Sequence, residues 1–171
     1  MHAPPMASTA QHPALLERFI PDRLIGWLAL ALLAAVLAAI ARGHAHWGDA
    51  PPAVWIHLLL MVLVLAVTTA QMWGLKGTAP HRILGWIWAI AMVGSALISF
   101  DIRLSKGGGF SVIHLLSVWV LIQVPLLVVQ ARRHAVAGHR RRARGLSIFA
   151  LLVAGFFTFP FHRMLGTWLF S

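Results

Sequence analysis

The chain has 171 residues, of which 60% are hydrophobic and 11% are charged, and its mean hydropathy is +0.81. This composition is typical of a polytopic helical membrane protein and lies far from that of soluble domains. Cysteine is absent, which excludes disulfides, iron–sulfur clusters and thiol catalysis. Most of the net charge of +10 falls between two apolar stretches, so we attribute it to membrane orientation and expect no nucleic-acid partner.

The hydropathy pattern predicts a mobile N-terminal segment, residues 1–22, followed by a single transmembrane helical bundle, residues 23–171. A helix needs about 20 apolar residues to cross the hydrocarbon core of a bilayer. Five stretches meet or approach that length: residues 24–41, 54–75, 83–102, 112–131 and 146–161. The predicted fold is therefore an all-α integral membrane protein, an up-down bundle of about five transmembrane helices.

The basic residues predict how this bundle is oriented. With the N-terminus inside, ten of the 14 Lys and Arg residues lie on the inner side. The outer side then holds only Arg42, Arg103, Lys106 and Arg163. Because cytoplasmic loops carry an excess of Lys and Arg, this asymmetry favours a multi-pass membrane protein with its N-terminus inside.

Four histidines near the ends of four consecutive spans are the main candidates for a functional site. His57 and His114 are expected at the outer side, and His81 and His139 at the inner side. Ionisable residues at membrane depth are costly and usually functional. Paired imidazoles inside a helical bundle are what axial ligation of b-type haem requires.

Polar and small residues follow the histidines along two helical stripes, which indicates that these faces turn into the bundle. The stripes are His57, Met61, Val64, Thr68 and Gln71 on the second span, and His81, Gly85, Trp88, Met92, Ser95 and Ser99 on the third. Gly85 also leaves room for the edge of a macrocycle.

Cations near each pair of histidines are suited to the carboxylates of haem propionates. Lys76 and Arg82 lie near the inner pair, and Arg103 and Lys106 lie in the outer loop before His114. The sequence thus predicts one or two haem b groups, with the four histidines as metal ligands. A single histidine at a helix end is more often a hydrogen-bonded structural residue, and that interpretation stays open.

Part of the chain resembles a bacterial family of predicted membrane proteins with no assigned function. The resemblance lies in Lys76-Gly-Thr-Ala-Pro-His81-Arg82-Ile-Leu-Gly85, Ser99, His114-Leu-Leu-Ser117 and His139-Arg140, within residues 54–165. The histidine layout is also similar to that of two-haem b-type membrane cytochromes, which include ascorbate- and quinol-linked reductases. This second resemblance implies one haem held by His57 and His114 and another held by His81 and His139. His139 departs from the pattern, because it can be a ligand only if the fifth helix begins early.

Two functions remain open. The first is transmembrane di-haem electron transfer in a bacterial inner membrane, with quinone or another redox partner. The second is a non-catalytic accessory, assembly or small-molecule-binding membrane protein without haem. The sequence does not decide whether the protein is an enzyme. His44, His46 and Asp49 in the first outer loop are suited to Zn or Cu, although solvent exposure is the simpler interpretation of this loop.

Overall fold

The computed structural model describes residues 20–102 and 112–170. Arg103, Lys106 and nearly all of the predicted mobile N-terminal segment therefore lie outside the described residues. Within the described ranges the chain is helical and has no strand. The main helices are α1 (Asp22–Arg42), α2 (Pro52–Trp73), α3 (Ala79–Ser99), α4 (Val112–Arg132), a composite helix α5 and a short α6 (Met164–Phe170).

Four helices in these two ranges, α1 to α4, are long and apolar enough to cross a membrane. The expected all-α membrane bundle is thereby confirmed. The ends of the spans differ slightly from the prediction: α2 begins at Pro52, and α3 ends at Ser99 rather than at residue 102. Both differences arise because hydropathy marks apolar content, whereas prolines and turns determine where a helix begins and ends.

The composite helix α5 runs without interruption from Val136 to Phe156. It consists of an α-helical part (Val136–Gly145), a π-helical part (Leu146–Val153) and a last α-helical turn (Ala154–Phe156). The predicted fifth span, residues 146–161, is therefore wrong at both ends. Arginine and alanine are good helix formers, so the helix extends back through the basic stretch that hydropathy excludes. His139 consequently lies in the first turns of a helix.

Helices α1 to α5 each pack against the next along the chain, and α1 also packs against the π-helical part of α5 and against α6, which closes the bundle. The core includes the fully buried side chains of Ile25, Val64, Val124, Leu146 and Leu151. All residues of the two predicted stripes are buried or half-buried, so the faces expected to turn inward do so.

The described contacts define two ends of the bundle. We call them the His81 end, with Asp22, Lys76, His81 and His139, and the His57 end, with Trp47, His57, Phe100 and His114. Tryptophan pairs lie at both: Trp27 and Trp73 at the first, with ring centroids 4.8 Å apart, and Trp47 and Trp55 at the second, 5.5 Å apart. This placement is typical of the aromatic belts at membrane–water interfaces.

Candidate functional site

His81 and His139 face each other at the His81 end. Helix α3 begins here because the Thr78 hydroxyl accepts a hydrogen bond from the backbone N–H of His81, at 3.4 Å. His139 lies one helical turn into α5, and its backbone N–H donates to the Ala135 carbonyl. The centroids of the two imidazole rings are 6.4 Å apart, and the ring planes are inclined at 81°.

This separation can be compared with the separation that two axial ligands need. A metal–imidazole bond of about 2.0–2.1 Å and a ring radius of about 1.2 Å place the centroids of two opposed imidazoles roughly 6.4–6.6 Å apart. The observed 6.4 Å falls within that interval. The centroid separation of His81 and His139 thus matches the separation expected for two ligands of one metal ion.

The hydrogen bond of His139 determines which of its ring nitrogens is available. Its Nδ1 lies 3.2 Å from the Leu127 carbonyl oxygen on α4. Because a carbonyl can only accept, Nδ1 carries a proton, and in the neutral imidazole Nε2 is then the nitrogen with the lone pair. Histidines that bind metals commonly donate their other N–H to a carbonyl in this way, which orients the ring and increases its basicity.

Both histidines line a cavity of about 660 Å³ between α2, α3, α4 and α5. This volume lies within the range of roughly 300–1,000 Å³ typical of small-molecule and cofactor sites. Apolar side chains form much of its wall, among them Met72, Trp88, Leu127 and Val128. Gly85 lies on the same wall, one turn after His81, where a larger side chain would enter the cavity.

The charged lining of the cavity is mostly cationic. It consists of Asp22, Lys76, Arg82, Arg132, Arg140 and Arg144. Arg82 donates to the Gly77 carbonyl at 3.1 Å, which holds it at the start of α3. The cavity therefore combines an apolar wall with a positive lining, an arrangement suited to an apolar ligand that carries carboxylates.

Lys76 lies in the turn between α2 and α3. Its ammonium donates to the carbonyls of Gln71 and Met72 and so caps the end of α2. Burial lowers the pKa of Lys76 from its ordinary value; the Asp22 carboxylate opposes this effect, and the Arg140 guanidinium adds to it. A third N–H of the ammonium remains for a ligand, since –NH₃⁺ has three donors.

The His57 end is arranged differently. The Nδ1 of His57 lies 3.2 Å from the Ser95 carbonyl oxygen and 3.1 Å from the Ser95 hydroxyl, which also contacts the Met61 sulfur. The His114 ring lies 5.7 Å from the ring of Phe100. The structure thus brings His81 and His139 together, whereas it places His57 and His114 against different residues at the end of α3.

The segment between α1 and α2 carries two exposed histidines. His46 Nδ1 lies 3.3 Å from Asp49, and His44 Nδ1 lies 3.2 Å from the Ala41 carbonyl oxygen. Over residues 20–102 and 112–170, no group of three His, Cys, Asp or Glu side chains is arranged to hold a metal ion. The loop histidines are accordingly explained by local hydrogen bonds.

Two features of the site were not predicted. The amide of Gln71 lines the cavity, and its buried Oε1 has no hydrogen-bond partner among the described residues. Asp22, assigned from sequence to the mobile segment, begins α1 and pairs with Arg144 and Arg140. Gln71 shares the helical stripe of His57, so the sequence places it on the correct face but does not indicate its role.

Together these observations define the class of protein: an all-α membrane bundle with a cavity that is lined by cations and by two neighbouring histidines. No protein-family model, curated protein or solved structure matches the chain.

Proposed function

We propose that the protein binds b-type haem in the cavity at the His81 end, with His81 and His139 as axial ligands, and that it transfers electrons across the membrane. The observation that carries this proposal is the 6.4 Å separation of the two rings. When bound, the haem supplies reversible one-electron iron chemistry.

The side chains around the cavity have separate roles in this proposal. The Leu127 carbonyl orients the His139 ring, and Gly85 leaves space for the macrocycle. Lys76 and Arg82 hold the propionates, since charge-assisted hydrogen bonds to carboxylates are the strong ones. The apolar wall excludes water from the porphyrin.

A second haem held by His57 and His114 completes the proposed path across the membrane, and Arg103 and Lys106 are its proposed cations. The tautomer of His57 supports this extension, because its Nδ1 donates to the Ser95 carbonyl and leaves Nε2 unprotonated. Quinone or a small reductant is the proposed redox partner. The many basic residues at the His81 end support an orientation with this end in the cytoplasm, in a bacterial inner membrane.

An absorption spectrum tests the proposal. The full chain is expressed with a haem precursor, purified in detergent and reduced with dithionite. We expect a Soret band and an α band in the wild-type protein. His81→Ala and His139→Ala should each lose the part of both bands that belongs to the haem at the His81 end. His44→Ala, a change in the exposed loop at the opposite end, is the matched control and keeps the full spectrum. A well-folded wild-type protein without reducible bands contradicts the proposal.

The second candidate is a membrane protein that binds a small anionic amphiphile without haem. It is favoured by the positive lining of the cavity, which suits any carboxylate-bearing apolar ligand. A colourless purified protein, stabilised by a carboxylated lipid and not by haem, supports this candidate instead.

A further inference from the structure

A buried hydrogen-bond acceptor without a donor lies beside His81. Gln71, near the end of α2, lines the cavity, and its Oε1 is buried and unpartnered among the described residues. Buried polar atoms are nearly always paired, so an unpaired one calls for a specific explanation.

The orientation of this amide is settled by its other end. Its Nε2 donates to the backbone carbonyl of His81 at 3.2 Å. Because a carbonyl oxygen cannot donate, the NH₂ group must face it, and exchanging the two ends of the amide is excluded. The two polar atoms of an amide are about 2.3 Å apart. Oε1 therefore lies within roughly 5.5 Å of the His81 carbonyl oxygen.

The other facing histidine shows what such an acceptor does. The Nδ1–H of His139 donates to the Leu127 carbonyl at 3.2 Å, and the Nδ1 of His57 has the same relation to the Ser95 carbonyl. Each of these rings is held by an acceptor on a neighbouring helix. Gln71 offers an acceptor of the same kind next to His81, also from a neighbouring helix.

We infer that Gln71 is the positioning residue of His81, and that its Oε1 accepts the Nδ1–H of the His81 ring when Nε2 binds the haem iron. The inference rests on the proposed haem function. The amide thus holds both the backbone and the ring of His81. An acceptor on Nδ1 increases the electron density that the imidazole donates to the metal.

Two substitutions separate this role from simple packing. Gln71→Leu removes the acceptor, and Gln71→Glu keeps it and adds a negative charge. Both are made in the His57→Ala background, so that only the haem at His81 and His139 contributes. We expect a higher midpoint potential with Leu and a lower one with Glu, and altered electron paramagnetic resonance g-values in both. Gln123→Leu, which removes an amide that contacts Arg142 outside the cavity, is the control and keeps the parental values.

The outcomes distinguish this inference from the proposed function. If the wild-type protein binds no haem, the proposed function fails, and the inference fails with it. If haem binds but both Gln71 variants keep the parental potential and g-values, only the inference is overturned. If Gln71→Leu loses haem, Gln71→Glu should restore binding with a lowered potential, and equal loss in both overturns the inference.

Discussion

Arg144 on α5 donates to the carboxylate of Asp22 at the start of α1, across 122 positions of the chain. The Arg144 side chain is only 7% exposed, and it also donates to the Ile20 carbonyl. Arg140, one turn earlier on α5, lies 3.5 Å from the same carboxylate. The pair joins the first and fifth helices of the bundle and forms part of the cavity wall at the His81 end.

The first prediction concerns the stability that Asp22 provides. Asp22→Asn removes the carboxylate that both arginines contact, and because the Asp22 side chain is 20% exposed the cost should fall below the about 3–5 kcal/mol of a fully buried pair. Arg144→Met should cost less, because Asp22 keeps Arg140. Unfolding of the purified protein in detergent, followed by circular dichroism, measures both values. A fully additive double variant would contradict direct coupling between the two residues.

The second prediction concerns the number of haems. If the His57 end also binds haem, pyridine haemochrome analysis gives two haems per wild-type chain and one in His57→Ala or His114→Ala. His44→Ala, at the same end, should retain two. One haem in the wild type, unchanged in His57→Ala, restricts the site to the His81 end and leaves His57 as a hydrogen-bonded residue of the bundle.

The third prediction concerns Gly85. A Cβ at this position would meet only the Gln71 amide, at 3.5 Å, which is an ordinary contact. Gly85→Ala should therefore fold with equal or greater stability, by up to about 1 kcal/mol, because alanine is the better helix former. Gly85→Leu should fold but lose haem, because its side chain grows into the cavity. The absorbance ratio of haem to protein measures this, and a Leu variant with full haem content would show that the macrocycle lies elsewhere.

Gly26 and Gly85 each end an Arg-x-x-Gly pattern, Arg23-Leu-Ile-Gly26 and Arg82-Ile-Leu-Gly85, and Gly26 provides a contrast for Gly85. A Cβ at Gly26 would come 2.5 Å from Trp73 Nε1, so Gly26→Ala should destabilise the packing of α1 on α2. The structure therefore has close helix packing at Gly26. At Gly85 the same pattern borders a cavity instead.

Helical periodicity was sufficient to predict which faces turn inward. His57, Thr68 and Ser95 all lie on predicted stripes, and all are buried or half-buried. The positions of helix ends were less predictable, because the basic residues before Leu146 are helical despite their low hydropathy. The partners of Asp22 could not be predicted at all. A contact across 122 positions depends on how α5 returns to α1, which no local pattern encodes.

The last prediction concerns the pH dependence of ligand binding through Lys76. Because burial lowers the pKa of Lys76, the ammonium loses its proton at a lower pH than an ordinary lysine does. The charge that attracts a carboxylate is fully present well below this lowered pKa and is lost as the pH rises through it. Affinity for haem, measured by titration of the haem-free protein, should therefore fall as the pH rises, at a lower pH than that at which an ordinary lysine loses its proton.

Lys76→Arg keeps its charge, because guanidinium stays protonated, and should bind haem with an affinity that varies less over the same pH range. Lys76→Gln should bind more weakly at neutral pH and show no such step. A wild-type affinity that stays constant with pH, and equal to that of Lys76→Gln, would mean that Lys76 only caps α2.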